Sequence, residues 1–239
     1  MKRDLAALAF AMTFPTFMAW IYFVVLAGGG EGVNPAVMAA FAVGKTVQFG
    51  FPLVYVALTA RDQLRPRPPT GQGLLLGFAF GVVVGAGMFG LYALLWTYTN
   101  LLAATPSMVA GELREFQVDS AVRYLPFALG FCLVHSLMEE YYWRWFVFGW
   151  LKRWTPLWVA IVVSSLAFMG HHIIILNKYF PGRFWTAALP FSLCVAVGGA
   201  VWAWLYHRTQ SLYAAWVSHA VIDAAIFAIG FQMVWPLAA

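Results

Sequence analysis

The sequence predicts an all-α protein, a bundle of helices that crosses a membrane several times. Of its 239 residues, 63% are hydrophobic and only 10% are charged, whereas about a quarter of the residues of a typical soluble domain are charged. Apolar runs of the roughly 20 residues that a helix needs to cross a bilayer recur along the chain. They predict about seven spans (six to eight), at residues 5–27, 36–60, 74–96, 121–150, 157–176, 185–206 and 212–235.

The first apolar run follows a short charged segment, Met1-Lys2-Arg3-Asp4, and resembles a signal peptide in that respect. It is longer than the roughly 15 residues of a usual signal-peptide core, and no clear small-x-small cleavage site ends it. We therefore expect it to be the first transmembrane helix. Residues 1–239 are expected to form a single integral membrane domain, with a motif-bearing core at about 120–230.

Two connectors and one long span stand out between these runs. Residues 61–71 contain consecutive prolines, which exclude a helix and predict a loop. Residues 97–120 form the longest polar stretch and are expected to contain a short surface helix. The run at 121–150 is longer than one span requires, so it has room for a bent turn.

Small residues in the spans predict helix packing. Gly77, Gly81 and Gly85 recur every four residues in the third span and would form a smooth ridge for a neighbouring helix. A phosphate-binding glycine loop would require a strand before it, which the pattern does not provide. Cys132 and Cys194 also lie in apolar spans and are expected to be small core residues without a disulfide.

The basic residues indicate the orientation of the chain in the membrane. Eight lie on one predicted side and four on the other, which favours a cytoplasmic N-terminus. Because they lie at the ends of spans rather than in a stripe, the net charge of +5 does not indicate binding to nucleic acid. The two groups are Lys2, Arg3, Arg61, Arg65, Arg67, Lys152, Arg153 and Arg208, against Arg114, Arg123, Lys178 and Arg183.

Two adjacent glutamates lie inside the fourth span. An ionised group at bilayer depth costs several kcal/mol, so it seldom persists there without a partner or a function. Glu140 and Arg144 are four residues apart on one helical face and can neutralise each other. Glu139 then lacks an evident local cation. A carboxylate in such a dry site is suited to taking up and returning protons near neutral pH.

Further polar groups lie in the fifth and seventh spans. His171 and His172 are adjacent in the fifth span. His219 and Asp223 are four residues apart in the seventh span, so these two side chains project from the same face of that helix. We therefore expect carboxylates and imidazoles from the C-terminal helices to converge on one low-dielectric site.

Three motifs occur in order in these spans: Glu139-Glu140-Tyr141-Tyr142-Trp143-Arg144, Phe168-Met169-Gly170-His171-His172 and His219-Ala220-Val221-Ile222-Asp223. This combination resembles the CPBP family, the CAAX-protease and bacteriocin-processing intramembrane peptidases, and in particular its type II CAAX prenyl endopeptidases. The resemblance implies a glutamate-type intramembrane peptidase in which Arg144 holds Glu140 in place.

The resemblance also assigns catalytic roles by position. Glu139 would be the general base that activates a water, and His172 would help to hold that water. His219, with the residue at position 223, would stabilise the oxyanion of the tetrahedral intermediate, which needs preorganised donors. His171 and His135 receive no role from the motifs. His135 precedes Glu139 by one turn and could tune it or only pack locally.

Position 223 departs from the family pattern, because many members have asparagine there. An ionised aspartate cannot donate a hydrogen bond to an oxyanion. Asp223 could remain protonated by burial, or it could orient His219. Alternatively, Glu139, His172, His219 and Asp223 could together bind zinc. The zinc motif His-Glu-x-x-His is absent, which favours a mechanism without a cofactor.

The function expected from the sequence is hydrolysis of a peptide bond in a membrane-anchored or lipidated protein or peptide. CAAX-like, leader and C-terminal sorting-signal processing are all consistent with it. Two alternatives remain open: a proton-coupled transporter, since carboxylates and histidines in membrane helices also form proton relays, and a non-catalytic immunity or binding member of the same fold.

Overall fold

The computed structural model describes residues 2–26, 35–61, 67–118 and 120–235. Within these ranges the chain forms eight helices and no strand. Seven of the helices are long and apolar enough to cross a membrane, which confirms the predicted all-α polytopic bundle. The helices are α1 (Lys2–Val25), α2 (Pro35–Thr59), α3 (Gly71–Tyr98), α4 (Thr105–Glu115), α5 (Ala121–Leu151), α6 (Leu157–Tyr179), α7 (Phe184–Thr209) and α8 (Leu212–Val234).

The short helix expected in the polar stretch is α4. It is tied to the end of α6 by an ion pair between Glu112 and Lys178. Asp119 from the same stretch, Ala27 from the first predicted span and residues 62–66 of the predicted loop, including Arg65, lie outside the described residues.

The glycine ridge of α3 packs closely against α8, as its spacing predicts. A methyl group built at Gly77 would run into the carbonyl group of Ala214, and one built at Gly81 would lie 2.9 Å from the carbonyl oxygen of Ser218. Since only hydrogen fits at these positions, the ridge sets how near α3 approaches the helix that carries His219.

The expectation that both cysteines are core residues was wrong for Cys194. Cys132 is buried, but Cys194 is exposed on α7. The reason is that lipid solvates an apolar side chain as well as a protein core does, so hydrophobicity alone does not separate inward from outward positions in a membrane helix.

The fourth span, α5, is irregular at the segment that carries the glutamates. One turn of α-helix, Ser136–Glu140, lies between two π-helical stretches, Phe131–His135 and Tyr141–Phe148. Such wide turns are rare, and they occur frequently at functional sites. The second stretch is also the centre of the core, where the hydroxyl of Tyr142 donates to the backbone oxygen of Ala11 on α1 at 2.7 Å.

Candidate active site

The polar side chains of α5, α6 and α8 meet inside the bundle. Glu139 is 3% exposed, Glu140 is fully buried and His219 is 5% exposed. Buried ionisable groups are stable only when they are paired and hydrogen-bonded. The contacts of each group therefore indicate what the site is built to do.

Glu140 is held on both sides. Its Oε2 lies 3.1 Å from Nε of Arg144, as the i, i+4 spacing predicts, at ion-pair distance but without hydrogen-bond alignment. Its Oε1 lies 2.8 Å from Nδ1 of His219. A carboxylate at this ring nitrogen accepts the Nδ1–H and thereby fixes both the tautomer and the orientation of the imidazole. The sequence predicted the first of these contacts but not the second.

Arg144 is stabilised by aromatic faces as well as by Glu140. Its guanidinium lies 4.7 Å from the ring centre of Phe168 and 5.1 Å from that of Trp202. Arginine is the cation best suited to such stacking when it is removed from water. The phenylalanine of the second motif therefore has a structural role, because its ring covers the buried arginine.

Glu139 is surrounded by imidazoles. Its Oε1 lies 3.5 Å from Nε2 of His171 and 3.8 Å from Nε2 of His135. Its Oε2 lies 3.8 Å from Nε2 of His219. The sequence showed no evident cation for this carboxylate, because two of the three imidazoles come from other helices.

The structure brings His171, rather than His172, against Glu139. His172 has its Nδ1 3.1 Å from the backbone oxygen of Phe168, and neither of its ring nitrogens makes an ion-pair contact with Glu139. The two rings are nonetheless neighbours, with centres 4.1 Å apart. His172 therefore lies at the edge of the cluster, half-buried, while His171 is inside it.

Asp223 faces the same side of His219 as Glu139 does. Its Oδ1 lies 3.6 Å from Nε2 of His219. Glu140 engages Nδ1 and thereby orients the ring. Asp223 and Glu139 both lie near the opposite ring nitrogen, Nε2. Glu140 thus makes the contact at Nδ1, and the role of Asp223 stays a prediction.

Sequence reasoning missed the aromatic support of His219. The indole of Trp202 on α7 stacks on this imidazole, with ring centres 4.1 Å apart and planes inclined by 16°. Its Nε1–H donates to Oγ of Ser218 at 2.9 Å, which anchors the indole to α8. A tryptophan in an apolar span carries no signal that separates this role from ordinary packing.

No set of three or more His, Cys, Asp or Glu side chains is arranged to hold a metal ion in the parts of the chain that the structure describes. Glu139, His172, His219 and Asp223 thus do not form a ready-made zinc site there. The mechanism without a metal stays a prediction, to be tested on the purified protein.

Fold and site together define a polytopic membrane protein with a buried carboxylate–imidazole centre. Residues 121–225 match the family model described as Type II CAAX prenyl endopeptidase Rce1-like. The matched segment runs from the start of α5 into α8 and contains all three motifs, so the resemblance to the CAAX-protease family is confirmed over this segment. No curated protein and no solved structure matches the chain.

Proposed function

We propose that the protein is an integral membrane endopeptidase that uses a glutamate-activated water. Its substrate is a membrane-associated protein or peptide, of which a prenylated CAAX terminus is the first candidate because of the family match. The observation that carries the proposal is the position of Glu139: a buried carboxylate at the meeting point of three imidazoles, inside the segment that matches an endopeptidase family.

In the proposed reaction, Glu139 takes a proton from a water as the water oxygen attacks the scissile carbonyl carbon. A positioned carboxylate within reach of the water is what general base catalysis requires. The tetrahedral intermediate then collapses, the C–N bond breaks, and the proton held by Glu139 passes to the leaving nitrogen. No nucleophilic serine or cysteine is needed.

His172 positions the water, and His171 positions the base. With its Nδ1–H donated to the oxygen of Phe168, His172 keeps Nε2 as an acceptor for a water hydrogen. His171 lies against Oε1 of Glu139 and orients the base itself. This retains the water-holding role of His172 that the motif implies and adds His171 as the positioning residue.

His219 stabilises the developing negative charge on the carbonyl oxygen. Glu140 accepts Nδ1–H, so the opposite nitrogen, Nε2, points into the open side of the site and acts as the donor in the protonated ring. Arg144 balances the charge of Glu140 from behind. This arrangement keeps the donor fixed before the reaction begins, which is the main source of oxyanion stabilisation.

Asp223, in its protonated form, is the second oxyanion donor, and we propose that the reaction proceeds without a metal. A protonated carboxyl can donate one hydrogen bond, and a carboxyl in an apolar site can remain neutral at pH 7. The position next to Nε2 of His219 suits this role. We also retain the cytoplasmic N-terminus that the distribution of basic residues indicates.

The test is Glu139→Gln, assayed with a farnesylated fluorogenic CAAX peptide and the purified protein. Glutamine keeps the size of the side chain and removes its basicity, so turnover should fall by at least about 100-fold. Glu115→Gln, on the exposed end of α4, makes the same chemical change outside the site and should leave turnover unchanged. Near-wild-type turnover by a folded Glu139→Gln protein would contradict the proposal.

A further inference from the structure

A lysine lies near the middle of the membrane helix α2, where the apolar span gives no reason for a charge. Nζ of Lys45 lies 3.4 Å from Oε1 of Gln48. It also lies 5.3 Å from the ring centre of Phe49 and 5.7 Å from that of Phe41. A neutral amide oxygen and two aromatic faces are favourable neighbours for an ammonium group, but they do not neutralise it.

No carboxylate lies within ion-pair distance of Lys45 among the residues that the structure describes. The other cation deep within a span, Arg144, is already paired with Glu140. An ionisable group inside a membrane helix usually faces a polar cavity and pairs with another group or with a ligand. Lys45 therefore has the capacity to bind an anion that the described chain itself does not supply.

Lys45 lies on the side of α2 that faces the catalytic centre. One turn further along, the backbone oxygen of Phe49 accepts a 3.1 Å hydrogen bond from the hydroxyl of Tyr141, directly after Glu140 in α5. The ring of Phe49 packs edge-on against Tyr142. The face of α2 that carries Lys45 and Phe49 therefore packs against the segment of α5 that directly follows the two glutamates.

We propose that Lys45 binds the free terminal carboxylate of the substrate, an inference that rests on the proposed function. A peptide cut close to its C-terminus brings a carboxylate to membrane depth, where lipid cannot solvate it and the carboxylates of the site repel it. Lys45 offers the opposite charge there, and Gln48 holds the ammonium group in place through Oε1. Lys45 thereby selects substrates that end near the scissile bond.

The experiment compares two farnesylated CAAX peptides of the same sequence, one with a free terminal carboxylate and one with a terminal carboxamide. The wild-type protein should favour the acid by about 10- to 100-fold in kcat/KM, the range of one hydrogen bond to a charged group. Lys45→Met should abolish that preference by raising KM for the acid alone, whereas Lys45→Arg should retain most of it.

Thr46→Val is the matched control. Thr46 is the next residue of α2, it is exposed, and its hydroxyl donates to the backbone oxygen of Ala42 within the same helix. This variant should keep the wild-type preference for the acid.

Two outcomes would overturn the inference while leaving the peptidase intact. The first is equal cleavage of acid and amide by the wild type. The second is an equal loss on both peptides in Lys45→Met, which would show that Lys45 acts through Glu139 instead. If the wild type cleaves neither peptide, the proposed function fails. In that case the affinity of Glu139→Gln for fluorescent versions of the two peptides tests the role of Lys45 without cleavage. Equal affinity for the acid and the amide overturns the inference about Lys45.

Discussion

Removing Arg144 tests whether the buried ion pair with Glu140 supports both the fold and His219, the proposed oxyanion donor. The side chains of Arg144 and Glu140 are 2% and 0% exposed, so neither can be rescued by water when its partner is lost. Breaking such a pair from one side typically destabilises a protein by about 3–5 kcal/mol, because the remaining charge is stranded. The contacts of Arg144 with Phe168 and Trp202 are lost as well, at up to about 2 kcal/mol for a desolvated contact. The hydrogen bond from His219 to Glu140 remains and offsets part of this.

We therefore expect Arg144→Ala to lower the free energy of unfolding by at least about 3 kcal/mol. The assay is SDS titration of the protein in mixed micelles, combined with peptide cleavage. Arg3→Ala is the control: Arg3 is 68% exposed beside Asp4, and exposed pairs contribute little. The double change Glu140→Gln and Arg144→Met should recover stability without recovering activity, since a neutral amide cannot balance a protonated His219. A stable, fully active Arg144→Ala protein would refute this reasoning.

Three further predictions concern the other parts of the structure. Asp223→Asn should keep substantial cleavage activity, because the amide supplies a hydrogen-bond donor. Tight chelators should not inhibit the wild-type protein. Bound zinc that is lost together with activity in Asp223→Asn would refute the metal-free mechanism. Gly81→Ala should reduce cleavage and stability, because its methyl group meets the backbone of α8 at 2.9 Å, whereas Gly87→Ala, with nothing within 4 Å, should be neutral in both assays. A reporter enzyme that is active only in the cytoplasm should be active when fused to the N-terminus. Activity only in the C-terminal fusion would show the opposite orientation.

The fold could be predicted from the sequence because lipid imposes a long apolar run on every crossing helix. The positions at which the helices begin and end were less predictable. The third span was expected at 74–96, but α3 runs from Gly71 to Tyr98. Thr70 caps its start, with the N–H of Gly73 donating to Oγ1 at 3.1 Å. A helix that leaves the apolar layer no longer needs apolar residues, so composition underestimates its length.

Within the site, contacts along one helix were predictable and contacts between helices were not. The pairs Glu140–Arg144 and His219–Asp223 follow directly from i, i+4 spacing. The choice between His171 and His172 depends on the rotation of α6 about its axis, because adjacent residues point about 100° apart at 3.6 residues per turn. Packing sets that rotation, and the motif alone does not encode it.

Adjacent positions on α5 give Glu139 and Glu140 different sets of neighbours, although both carboxylates approach His219. The residues are adjacent, yet Glu139 meets His171 and His135, while Glu140 reaches Arg144 and His219. The glutamates occupy a single turn of α-helix between two π-helical stretches, so the direction of each side chain depends on hydrogen bonds that no residue pattern predicts. Because Glu140 takes up the buried cation, Glu139 remains available for the proposed role of general base. In the proposed mechanism, the two neighbouring carboxylates thus divide catalysis and charge balance between them.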